Sequence, residues 1–182
     1  MRRRMAAVVL AAAMVAVTLT GCSWSQAPVA ARVGGTTITL AQAQQVADAL
    51  VADTAKNPQP LAAGDAPRVA VQGLVLNALL NSAPDKGESI VPQASVAQAI
   101  DPTVFASLLT TPGGAEWARG EIAVSQARAT QSIATSLIDL GRSTSVEINP
   151  RFGTWNTATG WFGPTDGSLS VEAADAPSLL LP

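Results

Sequence analysis

The chain has 182 residues, a formal net charge of −2 and no histidine, and it contains a single cysteine. Without histidine, a serine or cysteine nucleophile lacks its usual base, and zinc lacks one of its usual ligands. The acidic balance, without basic clusters after residue 4, argues against a nucleic-acid partner. The composition therefore predicts no metal, no cofactor and no nucleic acid, and it favours a binding protein over an enzyme.

The amino terminus has the layout of an export signal. A basic stretch at 2–4 precedes an uncharged apolar run at 6–19. At about 1.5 Å per residue a helix over this run would be about 21 Å long, shorter than a hydrocarbon core of about 30 Å. The length predicts the apolar core of a signal peptide rather than a membrane span.

The tetrapeptide that follows, Leu19-Thr20-Gly21-Cys22, resembles the lipobox of bacterial lipoproteins. The resemblance implies that residues 1–21 are removed and that the Cys22 thiol carries a diacylglycerol, with 22–30 as lipidated cysteine and tether. An ordinary signal peptide that happens to contain a cysteine is the alternative. Acyl chains contribute about 0.8 kcal/mol per buried CH₂, so we expect firm anchoring on the extracytoplasmic face of the cell membrane.

The first elements of the domain are predicted from turn and cap residues. Residues 31–38 indicate a short strand or hairpin around the turn-forming pair Gly34-Gly35. Thr39 and Gln42 form a T-x-x-Q capping box, which predicts that a helix begins at Thr39. This helix is expected to stop near Pro58.

The middle of the chain predicts more helices. Asp65 is expected to cap a strongly apolar helix at the centre of the core, with Pro67 in its first turn. "PDKGES" (84–89) is interpreted as a break. Two short helices, at 92–100 and 102–109, follow it, the second capped by Asp101.

The longest predicted helix covers about 115–140 and ends at Gly141. Within it, Trp117 is expected to fill the core, while Glu116 and Arg119 are expected to form a solvated i, i+3 pair. After it, period-two alternation around Val146 and Ile148 predicts a strand.

The strands and helices predicted within 31–155 together resemble the N-terminal chaperone domain of the SurA and PrsA peptidyl-prolyl isomerases, which is related to that of trigger factor. The matching stretches are "VGGTTITLAQ", "IVPQASV" and "VEINPRFGTW" within 31–155. The resemblance implies a mainly α fold of about five helices, with short terminal strands that pair into a small sheet. Specifically, Val33 and Ile38 are expected near Val146 and Ile148.

In that family the domain binds non-native polypeptide, and a parvulin domain usually follows. Here the remainder, 156–182, is too short for a parvulin domain and is interpreted as a mobile extension. The chain is therefore expected to bind non-native or extended polypeptide as a holdase, without isomerase activity. The alternative is an envelope subunit that docks one specific protein partner. An enzyme that uses carboxylates alone is a third possibility.

A group of arginine and aromatic residues near the carboxyl end is the candidate polypeptide contact, because Trp and Arg are favoured interface anchors. Its members are Arg151, Phe152, Trp155, Trp161 and Phe162. In the alternative interpretation, Phe152 and Trp155 fold back to cover the end of the helical core.

Overall fold

The computed structural model describes residues 28–163, which are mainly helical and carry two small antiparallel sheets. The helices are α1 (Leu40–Thr54), α2 (Ala66–Ser82), α3 (Pro84–Ile90), α4 (Val96–Ala99), α5 (Ala106–Thr110), α6 (Gly114–Ala129) and α7 (Gln131–Ser143). The strands are β1 (Val29–Val33), β2 (Thr36–Thr39), β3 (Val146–Ile148), β4 (Thr154–Asn156) and β5 (Trp161–Gly163). No helix among these residues combines the length and apolar character that a membrane crossing requires. Cys22 lies outside the described residues.

The first sheet joins the two ends of the helical domain, in the order β2-β1-β3. Val33 pairs with Val146, and Ala31 pairs with Ile148 on one side and with Ile38 on the other. The predicted pairing of the terminal strands is thus confirmed, with Ile38 one strand away from β3. Val33, Ile38 and Val146 are buried, so this face of the sheet belongs to the core.

Helix α1 begins as predicted, because the Thr39 hydroxyl accepts a hydrogen bond from the backbone N–H of Gln42 at 3.1 Å. Helix α2 is the centre of the core, and most of its residues from Ala70 to Leu80 are buried. Pro67 lies in its first turn and Asp65 lies at its N-cap position, as expected, but the Asp65 side chain makes no capping hydrogen bond. The Asp65 carboxylate contacts the Arg68 guanidinium at 3.5 Å instead, which leaves the cap position without a side-chain acceptor.

Helices α2 and α6 cross at two glycines. A Cβ on Gly120 would overlap the carbonyl oxygen of Gly73, and a Cβ on Gly73 would overlap the Trp117 indole. Trp117 is buried, as predicted, and its Nε1 donates to the Val69 carbonyl at 3.0 Å. The absence of side chains at this crossing lets the two backbones touch.

The predicted break at 84–89 is wrong, since these residues form most of α3. Pro84 lies in the first turn, where its missing N–H costs nothing, and Asp85 lies there as well. Gly87 packs against the Leu80 carbonyl, where a Cβ would overlap it. Proline and glycine, which usually interrupt helices, are therefore compatible with this short helix, and packing against α2 stabilises it.

The predicted single helix at 115–140 is two helices, α6 and α7, separated by Thr130. Thr130 has extended dihedral angles, φ −139° and ψ 112°. The apolar pattern continues across the break because both helices have buried residues in one core. Gly141 does not end α7, which continues to Ser143. A Cβ on Gly141 would overlap the Gly160 carbonyl, so close packing explains this glycine.

The described part of the chain continues past the expected domain boundary at Trp155. Strands β4 and β5 pair as a hairpin, with Trp155 opposite Phe162. Arg142 Nε, on α7, donates to the Ala158 carbonyl in the hairpin turn at 2.9 Å. Residues 156–163 are therefore part of the fold, which extends past the predicted boundary; 164–182 lie outside the described residues, and their interpretation as a mobile extension stays a prediction.

Candidate functional site

An apolar groove of about 220 Å³ lies between α6 and the segment that contains α4 and α5. Apolar side chains make most of its lining, and three polar residues stand among them. The lining comprises Ala99, Ile100, Asp101, Phe105, Leu108, Trp117, Ala118, Ile122, Ser125 and Gln126.

One wall depends on α5, a helix of five residues that is too short to be stable alone. Asp53, at the end of α1, supplies the cap that α5 lacks. Its Oδ1 accepts from the Ser107 N–H at 2.9 Å, and its Oδ2 accepts from the Leu108 N–H at 2.8 Å. These are the two first-turn donors that a local cap residue would normally satisfy. Asp53 therefore fixes Leu108 in the groove from 55 positions away.

The segment before α5 is a turn rather than the predicted helix over 102–109. The Asp101 carboxylate accepts from the Thr103 hydroxyl at 2.6 Å and from the Thr103 N–H at 2.8 Å. It thus closes a local turn, and the expectation that Asp101 caps a helix at 102 is wrong. These two hydrogen bonds lower the pKa of the Asp101 carboxyl. A charged carboxylate therefore stands among the polar groups of the groove.

Two aliphatic residues that are adjacent in sequence to lining residues are exposed. Val104 is 39% exposed and Leu109 is 37% exposed, and each is adjacent in sequence to a buried lining residue, Phe105 or Leu108. Exposed apolar side chains next to an apolar groove are the usual composition of a contact surface.

The wall that contains α4 is held in place by Arg119, which is 2% exposed. Its Nε and Nη2 both donate to the Val91 carbonyl, at 3.0 and 2.9 Å. Nη1 donates to Asn81 Oδ1 at 2.7 Å, and Nη2 also contacts Glu88 Oε1 at 2.9 Å. The predicted solvated pair of Glu116 and Arg119 is therefore wrong: Arg119 points into the protein and fixes the chain just before α4.

The sequence did not single out Asp53, Glu88 or the true partners of Arg119. Spacing on one helix favours a local partner for Arg119, whereas its acceptors belong to other elements. A usable signal was the neighbourhood of Arg119, since Trp117, Ala118, Gly120 and Ala123 indicate a buried stretch.

Helix α6 also carries a perturbed carboxyl. Burial raises the pKa of Glu121 to about 7, against the opposing effect of the positive charge of Arg128. Glu121 is not among the residues that line the groove.

The predicted contact residues fall into two groups. Trp155, Trp161 and Phe162 pack edge to face in the β4–β5 hairpin, with ring centroids 5.1 Å and 6.1 Å apart. They are partly buried against the core, and Trp155 Nε1 has no hydrogen-bond partner among the described residues. A structural role accounts for this packing; contact with polypeptide stays a prediction for them.

Arg151 and Phe152 belong to a different surface, beside the first turns of α1 and α2. Phe152 is buried, in agreement with the interpretation that it covers the end of the helical core. Arg151 is exposed, and its guanidinium lies 6.0 Å from the centre of the Phe152 ring. Of the five predicted residues, Arg151 and Phe152 line this groove, and the other three belong to the β4–β5 hairpin.

The described residues contain no group of three or more His, Cys, Asp or Glu side chains that could hold a metal ion. Comparison with protein-family models, curated proteins and solved structures found no match for this chain. What the groove offers is an apolar surface among a few polar groups, of a size suited to one or two apolar side chains.

Proposed function

We propose that this chain is a lipid-anchored, extracytoplasmic protein that binds non-native or extended polypeptide reversibly, as a holdase without isomerase activity. The apolar groove between α4, α5 and α6 is the observation that carries the proposal, together with the exposure of Val104 and Leu109, which are adjacent in sequence to the lining residues Phe105 and Leu108. An apolar side chain of the bound segment enters the groove, and no bond is made or broken.

The position of the terminal strands supports a likeness to the SurA and PrsA N-terminal domain. In that arrangement a strand before the helices pairs with a strand after them, and here β1 pairs with β3. The likeness supplies the class of ligand, which is polypeptide that exposes apolar side chains.

The expected affinity follows from the size of the groove. Burying one Leu- or Phe-sized side chain contributes about 1.5–3 kcal/mol. A Kd of 1 mM corresponds to about 4.1 kcal/mol, so a single anchor gives weak and rapidly reversible contact. Such contact suits a protein that holds clients and releases them.

A second candidate is the envelope subunit that docks one partner. The small apolar exposure favours it, since Val104 and Leu109 are the large hydrophobic residues that stand out as exposed in the described part of the chain. A single small groove would bind one anchor side chain of one particular partner sequence. A holdase for many clients usually offers more apolar surface.

The test fills the groove without disturbing the core. Ala99 is exposed and lines the groove, so Ala99→Trp places an indole in it. Ala97 is exposed on the same helix and does not line the groove, so Ala97→Trp is the matched control. We expect fragment 23–182 and Ala97→Trp to slow light scattering by several denatured clients, and Ala99→Trp to lose this effect.

Equal suppression of light scattering by Ala99→Trp and Ala97→Trp would show that the groove is not where clients bind. No suppression of any client by fragment 23–182 would favour the single-partner subunit. Crosslinking and pull-down of the membrane-extracted protein then separates the candidates: many unrelated clients indicate a holdase, and one stoichiometric protein indicates a subunit. The slow phase of a proline-limited refolding reaction should be unchanged, and faster isomerisation would contradict both.

A further inference from the structure

A second groove, of about 450 Å³, lies beside the first turns of α1 and α2, and we name it the arginine groove. Its apolar side includes Leu40, Ala41 and Phe152, and its charged groups are Arg68 and Arg151. It is separate from the groove to which we assign polypeptide binding, and it shares no lining residue with that groove.

The two arginines carry more positive charge than the described residues neutralise. Arg68 is paired with Asp65 at 3.5 Å. Arg151 is exposed and contacts the Phe152 ring face, and no described residue forms an ion pair with it. The arginine groove therefore suits a segment that combines carboxylates with apolar side chains.

The described part of the chain ends within reach of this groove. Gly163, the last described residue, pairs with Thr154, which is two residues after Phe152. Paired Cα atoms lie about 5 Å apart and two residues span at most about 7 Å, so Gly163 lies within about 12 Å of Phe152. Asp166, three residues further along, can therefore reach Arg151.

The sequence that follows has the matching chemistry. Residues 166–175 read "DGSLSVEAAD", with three carboxylates, no Lys or Arg, and the apolar Leu169 and Val171 between the acids. We propose that residues 166–175 of the same chain bind in the arginine groove. Their carboxylates lie near Arg151 and Arg68, and their apolar side chains lie against Phe152 and the first turn of α1. This proposal does not depend on polypeptide binding at the other groove.

Disulfide trapping tests the proposal in fragment 23–182, which contains no cysteine. One cysteine replaces Ser170 in every variant. The second replaces Ala41, which is exposed and lines the arginine groove, or, as control, Ala52, which is exposed about 16 Å further along α1. We expect mild oxidation to crosslink the Ala41→Cys pair within one chain about ten-fold faster than the Ala52→Cys pair, because bound residues have a higher effective concentration.

Charge exchange tests the role of the arginine. Arg151→Glu or Asp166→Arg alone should slow crosslinking of the Ala41→Cys pair by about two- to five-fold, the range of one exposed ion pair. The double variant with both charge changes should restore the crosslinking rate. High salt should slow crosslinking when Arg151 and Asp166 are both unchanged, because salt screens their attraction. Equal crosslinking of the Ala41→Cys and Ala52→Cys pairs would overturn the proposal. So would crosslinks that join two chains only, which would place the segment on a second copy.

Discussion

The Arg119 guanidinium lies 2.9 Å from a carboxylate oxygen of Glu88, 31 positions earlier in the chain, and joins α6 to α3. The two ends of this ion pair differ in environment. Arg119 is buried, whereas the Glu88 side chain is 52% exposed. Burial of a guanidinium is tolerated here because its remaining donors have acceptors in Asn81 and the Val91 carbonyl.

Unequal costs of removing the two partners follow from this asymmetry. Arg119→Ala removes four hydrogen bonds and leaves a cavity, so we expect the free energy of unfolding to fall by about 2–4 kcal/mol. Glu88→Gln keeps a side-chain oxygen that can accept from Arg119, at a position that is half exposed to water. The free energy of unfolding should therefore fall by about 1 kcal/mol or less. Urea unfolding of both variants measures the difference, and equal losses would contradict the described network.

The cap that Asp53 provides for α5 predicts a local effect. Asp53→Ala removes both acceptors of the Ser107 and Leu108 N–H groups, so stability should fall by about 1–2 kcal/mol. Asp48→Ala on the same helix, where Asp48 contacts only Gln44 among the described hydrogen bonds, is the control. Hydrogen exchange of the Ser107 and Leu108 amides should accelerate in Asp53→Ala alone. Unchanged protection would show that α5 is stable without the cap.

The crossing of α2 and α6 predicts that a single methyl group is costly. Gly120→Ala places a Cβ on the Gly73 carbonyl, so the helices must separate, at a cost of about 1–3 kcal/mol or more. Gly35→Ala is the matched control, since a Cβ there meets nothing within 4 Å. Thermal unfolding should show a lower Tm for Gly120→Ala and little change for Gly35→Ala. Equal Tm values would mean that the crossing is wider than described.

The carboxyl of Glu121, a half-buried residue of α6, predicts a pH dependence of stability. Its folded pKa of about 7 lies above its ordinary value of 4.5, because burial disfavours the charged form. The folded chain therefore holds this proton more tightly than the unfolded chain. The resulting stabilisation is complete below about pH 4.5 and is lost as the pH rises through 7.

Relative to Glu121→Gln, the free energy of unfolding of the wild type should therefore fall between pH 4.5 and 7 and remain low above it. At about 1.36 kcal/mol per pKa unit the loss is at most about 3 kcal/mol, and water that reaches this partly exposed side chain makes it smaller. Glu116→Gln, at an exposed position of the same helix, is the matched control substitution. Parallel profiles for wild type and Glu121→Gln would contradict the raised pKa.

The lipobox-like tetrapeptide predicts that Cys22 carries the membrane anchor. Cys22→Ala should block normal signal removal and release or mislocalise the protein, because the thiol that would carry the diacylglycerol is missing. Fractionation and gel mobility of the mature form measure both effects, and Ser23→Ala is the control. A Cys22→Ala protein of normal mature size in the membrane fraction would contradict lipid attachment.

Local chemistry in the sequence determined the elements whose partners lie nearby in the chain. Thr39 and Gln42 are three positions apart, so the cap of α1 could be predicted from spacing alone. The alternation at Val146 and Ile148 likewise predicted a strand, because period two puts both side chains on one face. The apolar density of α2 predicted its place in the core, since a helix that is apolar all round must be buried.

Only the tertiary structure decided the features that join distant parts of the chain. Asp53 caps a helix 54 positions away, and Arg119 finds its acceptors on α2, on α3 and beyond it, so neither choice could be made from the residues beside them. The break at Thr130 and the helix through "PDKGES" depend on packing that outweighs local propensity. The apolar groove beside α6 has the same origin, because α4 and α5 on its other side are short helices that contacts with α1 and α6 hold in place.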